Sequence, residues 1–160
     1  MSLHNFIQLS HRIEASRLKE INIQNMPEQL RSIAEPIVEP KRCYDNSFKL
    51  ATSLNATYVL GIYCKTIPIE HAWLKIGDNY YDPTLEIVLN DTAGKYLSLV
   101  ELSEAELFNT MIEIDEVTDK GVYPPMFETI KYHTNFRDLF ISDAGRLREL
   151  YQSSMTITIN

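Results

Sequence analysis

Three side chains near the middle of the sequence have the types needed for thiol chemistry, namely Cys43, His71 and Asp82. A cysteine attacks a carbonyl as its thiolate, an imidazole moves the proton, and a carboxylate holds that imidazole in one tautomer. Each residue has an ordinary interpretation alone: a small packed residue, a polar residue on a sheet, and a turn residue before Pro83. Their order along the chain and their predicted elements favour the chemical interpretation.

The sequence predicts that Cys43 begins a helix. Pro36 and Pro40 end an earlier helix and make Pro36–Arg42 an extended approach. From Cys43 to Leu54 the apolar residues then recur at helical spacing. Unpaired backbone N–H groups and the helix dipole favour negative charge at a helix start, so this position favours the reactive thiolate.

Two predicted strands, His71–Ile76 and Asn79–Pro83, flank a turn at Gly77-Asp78. If the turn has two residues, His71 and Asp82 project from the same face as diagonal partners, about 7–8 Å apart at the backbone. A three-residue loop would shift the register by one and place Asp82 on the opposite face. The expected contact between imidazole and carboxylate therefore depends on the turn.

The rest of the pattern predicts an α+β fold in which an antiparallel sheet packs against the helix that carries Cys43 at its N-terminus. We expect one domain over residues 1–160, with a core at about 43–84, N-terminal helices and a C-terminal α+β extension. The other predicted elements are a helix starting at Asn25–Pro27, strands Thr57–Cys64 and Tyr96–Val100, a helix capped by Ser103, a loop Asp115–Pro125, a strand Phe127–His133, helices Asn135–Ile141 and 142–152, and a strand Met155–Ile159.

The segment from Cys43 to Thr84 resembles the core of transglutaminase-like proteins. There a helix-borne cysteine precedes a His-x-Trp strand, here His71-Ala72-Trp73, and an Asp-Pro-Thr pattern follows, here Asp82-Pro83-Thr84. The papain-like clan shares this arrangement, and small bacterial and phage-type proteins share a Cys-x-x-Asn helix start. The resemblance implies that Cys43 is the nucleophile, His71 the general base and acid, and Asp82 the orienting carboxylate.

Two further residues are candidates for contact with a substrate. Asn46 lies one turn along the helix and is a candidate second oxyanion donor beside the backbone N–H of Cys43; its ordinary interpretation is a helix-surface amide. Trp73 is a candidate wall of the cleft, and its ordinary interpretation is an aromatic side chain packed on its neighbours. The sequence leaves both pairs of alternatives open.

The leading functional prediction is a cysteine-dependent enzyme that acts on an amide or thioester through an acyl-enzyme. A peptidase, a glutamine deamidase and an acyl transferase share this first half-reaction, and the expected substrate is a protein or peptide, with no cofactor and no metal. One alternative is a non-catalytic protein-binding module on the same fold. Another is a metal site built from Cys43, Cys64, His71 and Asp82, which lacks the paired close spacing of zinc sites.

Composition argues against other classes of function. The formal net charge is −7, and no basic face for nucleic acid is visible. No stretch approaches the roughly 20 apolar residues that cross a membrane, and the start lacks the pattern of a secretory signal. With two cysteines that are far apart in sequence, a reducing cytoplasm is favoured, and export as an effector by another route stays open. Cys64 is expected to face the core.

Overall fold

A computed structural model describes residues 2–156 of the chain, apart from the side chains of Ser154 and Thr156. The helices are α1 (Leu3–His11), α2 (Glu28–Ala34), α3 (Cys43–Leu54), α4 (Pro83–Val88), α5 (Glu104–Thr118), α6 (Phe127–Ile130) and α7 (Ala144–Thr156). The strands are β1 (Lys19–Ile21), β2 (Thr57–Cys64), β3 (Pro68–Ile76), β4 (Asn79–Tyr81) and β5 (Lys95–Leu102), and short 3₁₀ helices form at Ala15–Arg17 and Arg137–Leu139.

The five strands form one antiparallel sheet in the order β1-β5-β2-β3-β4. The chain that follows β1 returns to the opposite edge, where Ile23 bridges Tyr80 and the amide of Gln24 donates to the Tyr80 carbonyl at 2.8 Å. Because the two edges of the sheet are joined in this way, the sheet curls and has an inner and an outer face.

Alternation along the strands divides the core between these two faces. On the outer face, Leu60 and Leu74 belong to the cluster that includes Leu50 and Ala51 of α3. The inner face holds a second, largely aromatic cluster: Ile21, Val59, Tyr63, Trp73, Tyr80 and Tyr96. His71 shares the inner face with Trp73, two residues along β3.

The predicted α+β fold with an antiparallel sheet against a helix is confirmed. The helix α3 begins at Cys43 and ends at Leu54, as its apolar spacing indicates. The hairpin between β3 and β4 has the two-residue turn at Gly77-Asp78, with Ile76 paired to Asn79. Gly77 adopts φ +60°, which a glycine reaches without strain.

The predicted strand Asn79–Pro83 is wrong at its end, since β4 stops at Tyr81. Asp82 instead caps α4, accepting a hydrogen bond from the Leu85 amide, and Pro83 fills the first helical position. Asp at the cap and Pro at the first position are both preferred at helix starts.

Several predictions in the second half are also wrong. The segment predicted as strand Phe127–His133 contains α6, in which Phe127 and Ile130 are buried at helical i, i+3 spacing. The predicted loop Asp115–Pro125 begins later, because α5 continues to Thr118. Within Asn135–Ile141 only Arg137–Leu139 is helical, and it is a 3₁₀ turn.

The two ends of the predicted pattern differ as well. The helix α2 is capped at Pro27 rather than Asn25, and no side chain makes the cap hydrogen bond. The C-terminal helix α7 runs to Thr156, so Met155 is helical rather than the start of a strand. The rest of the predicted strand Met155–Ile159 lies outside the described residues. Among residues 2–156, no helix combines the length and the apolar character needed to cross a membrane.

Candidate functional site

His71 and Asp82 are in direct contact. Their Nε2 and Oδ2 atoms lie 2.7 Å apart. His71 is 3 % exposed and Asp82 is fully buried, so water competes little for this contact. β3 supplies the histidine and the capping residue of α4 supplies the aspartate. The hairpin register therefore brings together two residues that the sequence placed on one face.

The Asp82 carboxylate accepts hydrogen bonds from three elements. Oδ2 accepts from His71 and, also at 2.7 Å, from the hydroxyl of Tyr96 on β5. Oδ1 accepts from the Leu85 amide at 3.2 Å, which is the cap of α4. Since buried carboxylates are costly without partners, these donors hold the charge in place.

Tyr96 is a member of this network that the sequence did not indicate. It is 1 % exposed, and burial together with Asp82 raises the pKa of its hydroxyl well above the ordinary value. The hydroxyl therefore stays protonated at neutral pH and remains a hydrogen-bond donor. The only signal in the sequence was its place on the predicted strand Tyr96–Val100, which says nothing about its partner.

Cys43 is the first residue of α3, is partly buried, and forms no disulfide. Its thiol lies near the His71 imidazole and, after Asp82, helps to raise the pKa of that ring. Because Nε2 of His71 faces Asp82, the other ring nitrogen, Nδ1, is the one available to the thiol.

The charge balance at His71 favours the imidazolium. Burial lowers the pKa of His71, but attraction to and hydrogen bonding with Asp82, followed by the interactions with Cys43, outweigh it and raise the pKa to about 10. The carboxylate is therefore placed to stabilise the charged form of the imidazole.

Two tyrosines lie near the thiol. Burial is the main cause that raises the pKa of Tyr44 and of Tyr58 above the ordinary value, and proximity to Cys43 adds to both shifts. The Tyr58 hydroxyl donates to the Pro125 carbonyl at 2.6 Å. Both phenols therefore stay neutral in the neighbourhood of Cys43.

Trp73 packs beside His71 rather than lining an open cleft. The indole is fully buried. Its ring centroid lies 6.0 Å from that of His71 and 5.2 Å from that of Tyr96, edge to face. Within the described chain, its Nε1 has no hydrogen-bond partner. The ordinary interpretation of Trp73, a packed aromatic side chain, is the one that fits the structure.

Asn46 is buried and connects three segments. Its Nδ2 donates to the Glu39 carbonyl at 2.8 Å and to Thr84 Oγ1 at 3.1 Å, and its Oδ1 accepts from the Glu39 amide at 3.0 Å. Both amide hydrogens are thus occupied, so Asn46 has none left for an oxyanion. The structure therefore supports neither a role as oxyanion donor nor a position on the helix surface. Asn46 instead joins the start of α3 to the loop that precedes it and to α4.

A second buried histidine, His133, provides a comparison. Its Nε2 lies 2.7 Å from Glu113, and its Nδ1 accepts from the Asn135 amide at 3.1 Å. Both ring nitrogens are therefore engaged by neighbouring residues. His133 thus fastens the segment after α6 to α5.

A groove of about 930 Å³ lies on the other side of β3 from His71. Glu70, the residue before His71, lines it. Burial and repulsion by Glu128 raise the pKa of the Glu70 carboxyl. The remainder of the lining comes from the end of α1 and the segment from α6 to Ser142.

The metal-site alternative finds no support in the part of the chain described. No group of three or more His, Cys, Asp or Glu side chains there could hold a metal ion. Cys64 ends β2, opposite Pro68 and Lys95, and is partly exposed rather than buried in the core as expected.

Comparisons with protein-family models, with curated proteins and with solved structures return no match to this chain.

Proposed function

We propose that this chain is a cysteine-dependent enzyme that acts on an amide or thioester, with Cys43 as nucleophile, His71 as general base and acid, and Asp82 as the orienting carboxylate. The observation that carries the proposal is the buried contact of 2.7 Å between His71 and Asp82, on an imidazole whose pKa the nearby Cys43 also helps to raise. The likeness of residues 43–84 to transglutaminase-like and papain-like cores agrees with it.

The proposed reaction begins when the Cys43 thiolate attacks the carbonyl carbon and forms a tetrahedral oxyanion. The backbone N–H of Cys43, one of the unpaired amides at the start of α3, is a donor to that oxyanion. His71 gives its proton to the departing nitrogen or sulfur, the bond to the leaving group breaks, and an acyl-enzyme remains.

The second half-reaction releases the acyl group. His71, now neutral, removes a proton from water or from an amine, which attacks the acyl-enzyme and displaces the Cys43 thiolate. With water the products are those of a peptidase or deamidase, and with an amine those of an acyl transferase. We propose a protein or peptide as the substrate.

We also propose that the protein works in a reducing compartment such as the cytoplasm. Cys43 and Cys64 are both free thiols, and the proposed reaction requires a reduced Cys43. The alternative function, a non-catalytic binding module on the same fold, does not require Cys43 to be a thiolate. The reactivity of Cys43 therefore distinguishes the two functions.

The test is the pH dependence of Cys43 alkylation by iodoacetamide in a Cys64→Ser background. The proposed ion pair with the His71 imidazolium predicts rapid alkylation of the wild-type thiol at neutral pH. His71→Ala should move the profile strongly to higher pH, and Asp82→Asn should move it less, because asparagine keeps the size of the side chain but loses its charge.

Three similar profiles at the pH of an ordinary thiol would favour the binding module. A profile that stays at low pH in both variants would assign the reactivity to the start of α3 alone, and His71 and Asp82 would lose their proposed roles.

A further inference from the structure

The hydroxyl of Tyr96 and the imidazole of His71 bind the same oxygen atom. Both donors lie 2.7 Å from Oδ2 of Asp82, while Oδ1 accepts the longer bond from Leu85 at 3.2 Å and no other among residues 2–156. A carboxylate oxygen that accepts a short bond from a second donor has less charge to offer the first. Tyr96 therefore competes with His71 for the oxygen that stabilises the imidazolium.

The titratable groups that face His71 come from four elements. They are Cys43 at the start of α3, Asp82 at the cap of α4, Tyr63 on β2 and Tyr96 on β5. Tyr63 packs on both rings, with centroids 5.9 Å from His71 and 4.8 Å from Tyr96, but its hydroxyl lies at the Gly94 backbone. Of the two tyrosines, only Tyr96 donates to Asp82.

We propose that Tyr96 is a positioning residue that fixes the Asp82 carboxylate and moderates its hold on the His71 proton. This inference rests on the function proposed above. A general acid must release its proton to the leaving group, and an imidazolium bound too strongly by its carboxylate is a poor acid. Tyr96 thus keeps His71 charged enough to support the thiolate and acidic enough to complete the reaction.

The test measures the His71 titration by NMR of the imidazole in a Cys43→Ala background, with the resonance assigned from its loss in His71→Gln. Tyr96→Phe removes the competing donor and keeps the ring, so the His71 midpoint should rise by about half a pH unit. Asp82→Asn should lower it by more than about one unit. Tyr63→Phe, the matched loss of a hydroxyl on the same aromatic cluster, should leave it within about 0.2 unit, because that hydroxyl does not bind Asp82.

A midpoint in Tyr96→Phe that equals the one in Tyr63→Phe overturns the proposal, because the shared oxygen would then carry no effect. A fall, in the direction of Asp82→Asn, overturns it too, since Tyr96 would then only support the carboxylate mechanically. If Tyr96→Phe does not fold, the same question can be tested by incorporating fluorotyrosine into the Tyr63→Phe variant. The hydroxyl of fluorotyrosine is a stronger donor than that of tyrosine, so the midpoint of the His71 titration should fall. No change there also overturns the proposal.

Reactivity gives a second measurement that separates this proposal from the first. The anion iodoacetate is attracted by the imidazolium, so its rate of reaction with Cys43 should decline at the pH at which His71 loses its charge. Tyr96→Phe should move that decline to higher pH. The NMR midpoints could shift as expected while His71→Ala leaves Cys43 alkylation unchanged. That result would contradict the proposed enzymatic function but would support the role of Tyr96 at the His71–Asp82 pair.

Discussion

The imidazole of His71 is held at Nε2 and is packed among three aromatic rings. Asp82 binds Nε2 at 2.7 Å, and the rings of Tyr63, Trp73 and Tyr96 lie at centroid distances of 5.9, 6.0 and 6.5 Å. Such a side chain has little freedom to rotate, so its orientation toward the thiol costs little entropy when a substrate binds.

The contact of His71 with Asp82 could be predicted because it is local. Eleven positions separate the two residues, and a two-residue turn fixes their register. Tyr96 lies on β5, which pairs with β2 and β1 but not with β3 or β4. Its hydrogen bond depends on how far the sheet curls, and neither alternation nor spacing contains that information.

Selective alkylation tests the chemistry at Cys43 directly. Both cysteines are partly exposed, so accessible area alone predicts similar labelling. We expect native Cys43 to react several-fold faster than Cys64 with iodoacetamide at neutral pH, because only Cys43 begins a helix and has an imidazole partner. Mass spectrometry separates the two, since trypsin places them in the peptides 43–49 and 50–65.

The control is the same reaction in denaturant, where the two thiols should label at similar rates. Equal rates in the native protein would mean that neither the helix start nor His71 activates Cys43.

At the scale of elements, three segments must meet for the site to exist: the start of α3, the strand β3 and the cap of α4. The strand β4 pairs with Leu74–Ile76 of β3 on one side and with Ile23 on the other. The two helices contact β3 and each other. A buried Asn46 links them through Thr84, two residues after Asp82. The amide thus fixes the position of the cysteine-bearing helix relative to the carboxylate.

The elements near the site were easier to predict than those in the second half of the chain. Apolar residues recur at helical spacing along the whole of α3, and the two-residue turn of the hairpin has one preferred register. By contrast, α6 is a four-residue helix, and its buried pair, Phe127 and Ile130, is too short a pattern to distinguish a helical turn from a strand. The strand β1 has three residues, too few to show a periodicity, and it is a strand because it pairs with β5.

We expect Asn46→Ala to lower the free energy of unfolding by about 2 kcal/mol or more, because it leaves the Glu39 backbone groups and the buried Thr84 hydroxyl without partners. It should also slow Cys43 alkylation at neutral pH, since α3 is no longer fixed at the site. Urea unfolding and the labelling assay measure the two effects.

Asn109→Ala on the exposed surface of α5 is the matched control, and it should be neutral or slightly stabilising, since alanine favours helix. An Asn46→Ala variant as stable as this control would show that the three hydrogen bonds contribute nothing.

At the scale of the whole molecule, the curl of the sheet decides which side chains meet. Trp73 on β3 reaches Tyr96 on β5 across Gly61 of β2, at the point where the pairing of β2 with β5 shifts register. A Cβ at Gly61 would lie 2.6 Å from the Trp73 ring and 2.2 Å from the Leu97 carbonyl oxygen. The absence of a side chain at this position lets the inner cluster close around His71.

The buried His71 also ties the stability of the whole fold to pH. Its pKa rises from 6.5 to about 10 on folding, chiefly because attraction to Asp82 outweighs burial. The folded state therefore binds the His71 proton more tightly than the unfolded state does. The resulting stabilisation is fully present below about pH 6.5 and is lost as the pH rises toward about 10.

We therefore expect the free energy of unfolding, from urea titrations, to fall between about pH 6.5 and about pH 10, with a steeper slope in the wild type than in His71→Gln. Asp82→Asn should flatten the slope as well, although histidine is still present, because the carboxylate is what raises the pKa. Comparing slopes rather than absolute stabilities removes the cost of the substitutions themselves. If Asp82→Asn keeps the wild-type slope while His71→Gln loses it, the proton on His71 is held by something other than Asp82, and the electrostatic role given to that carboxylate is wrong.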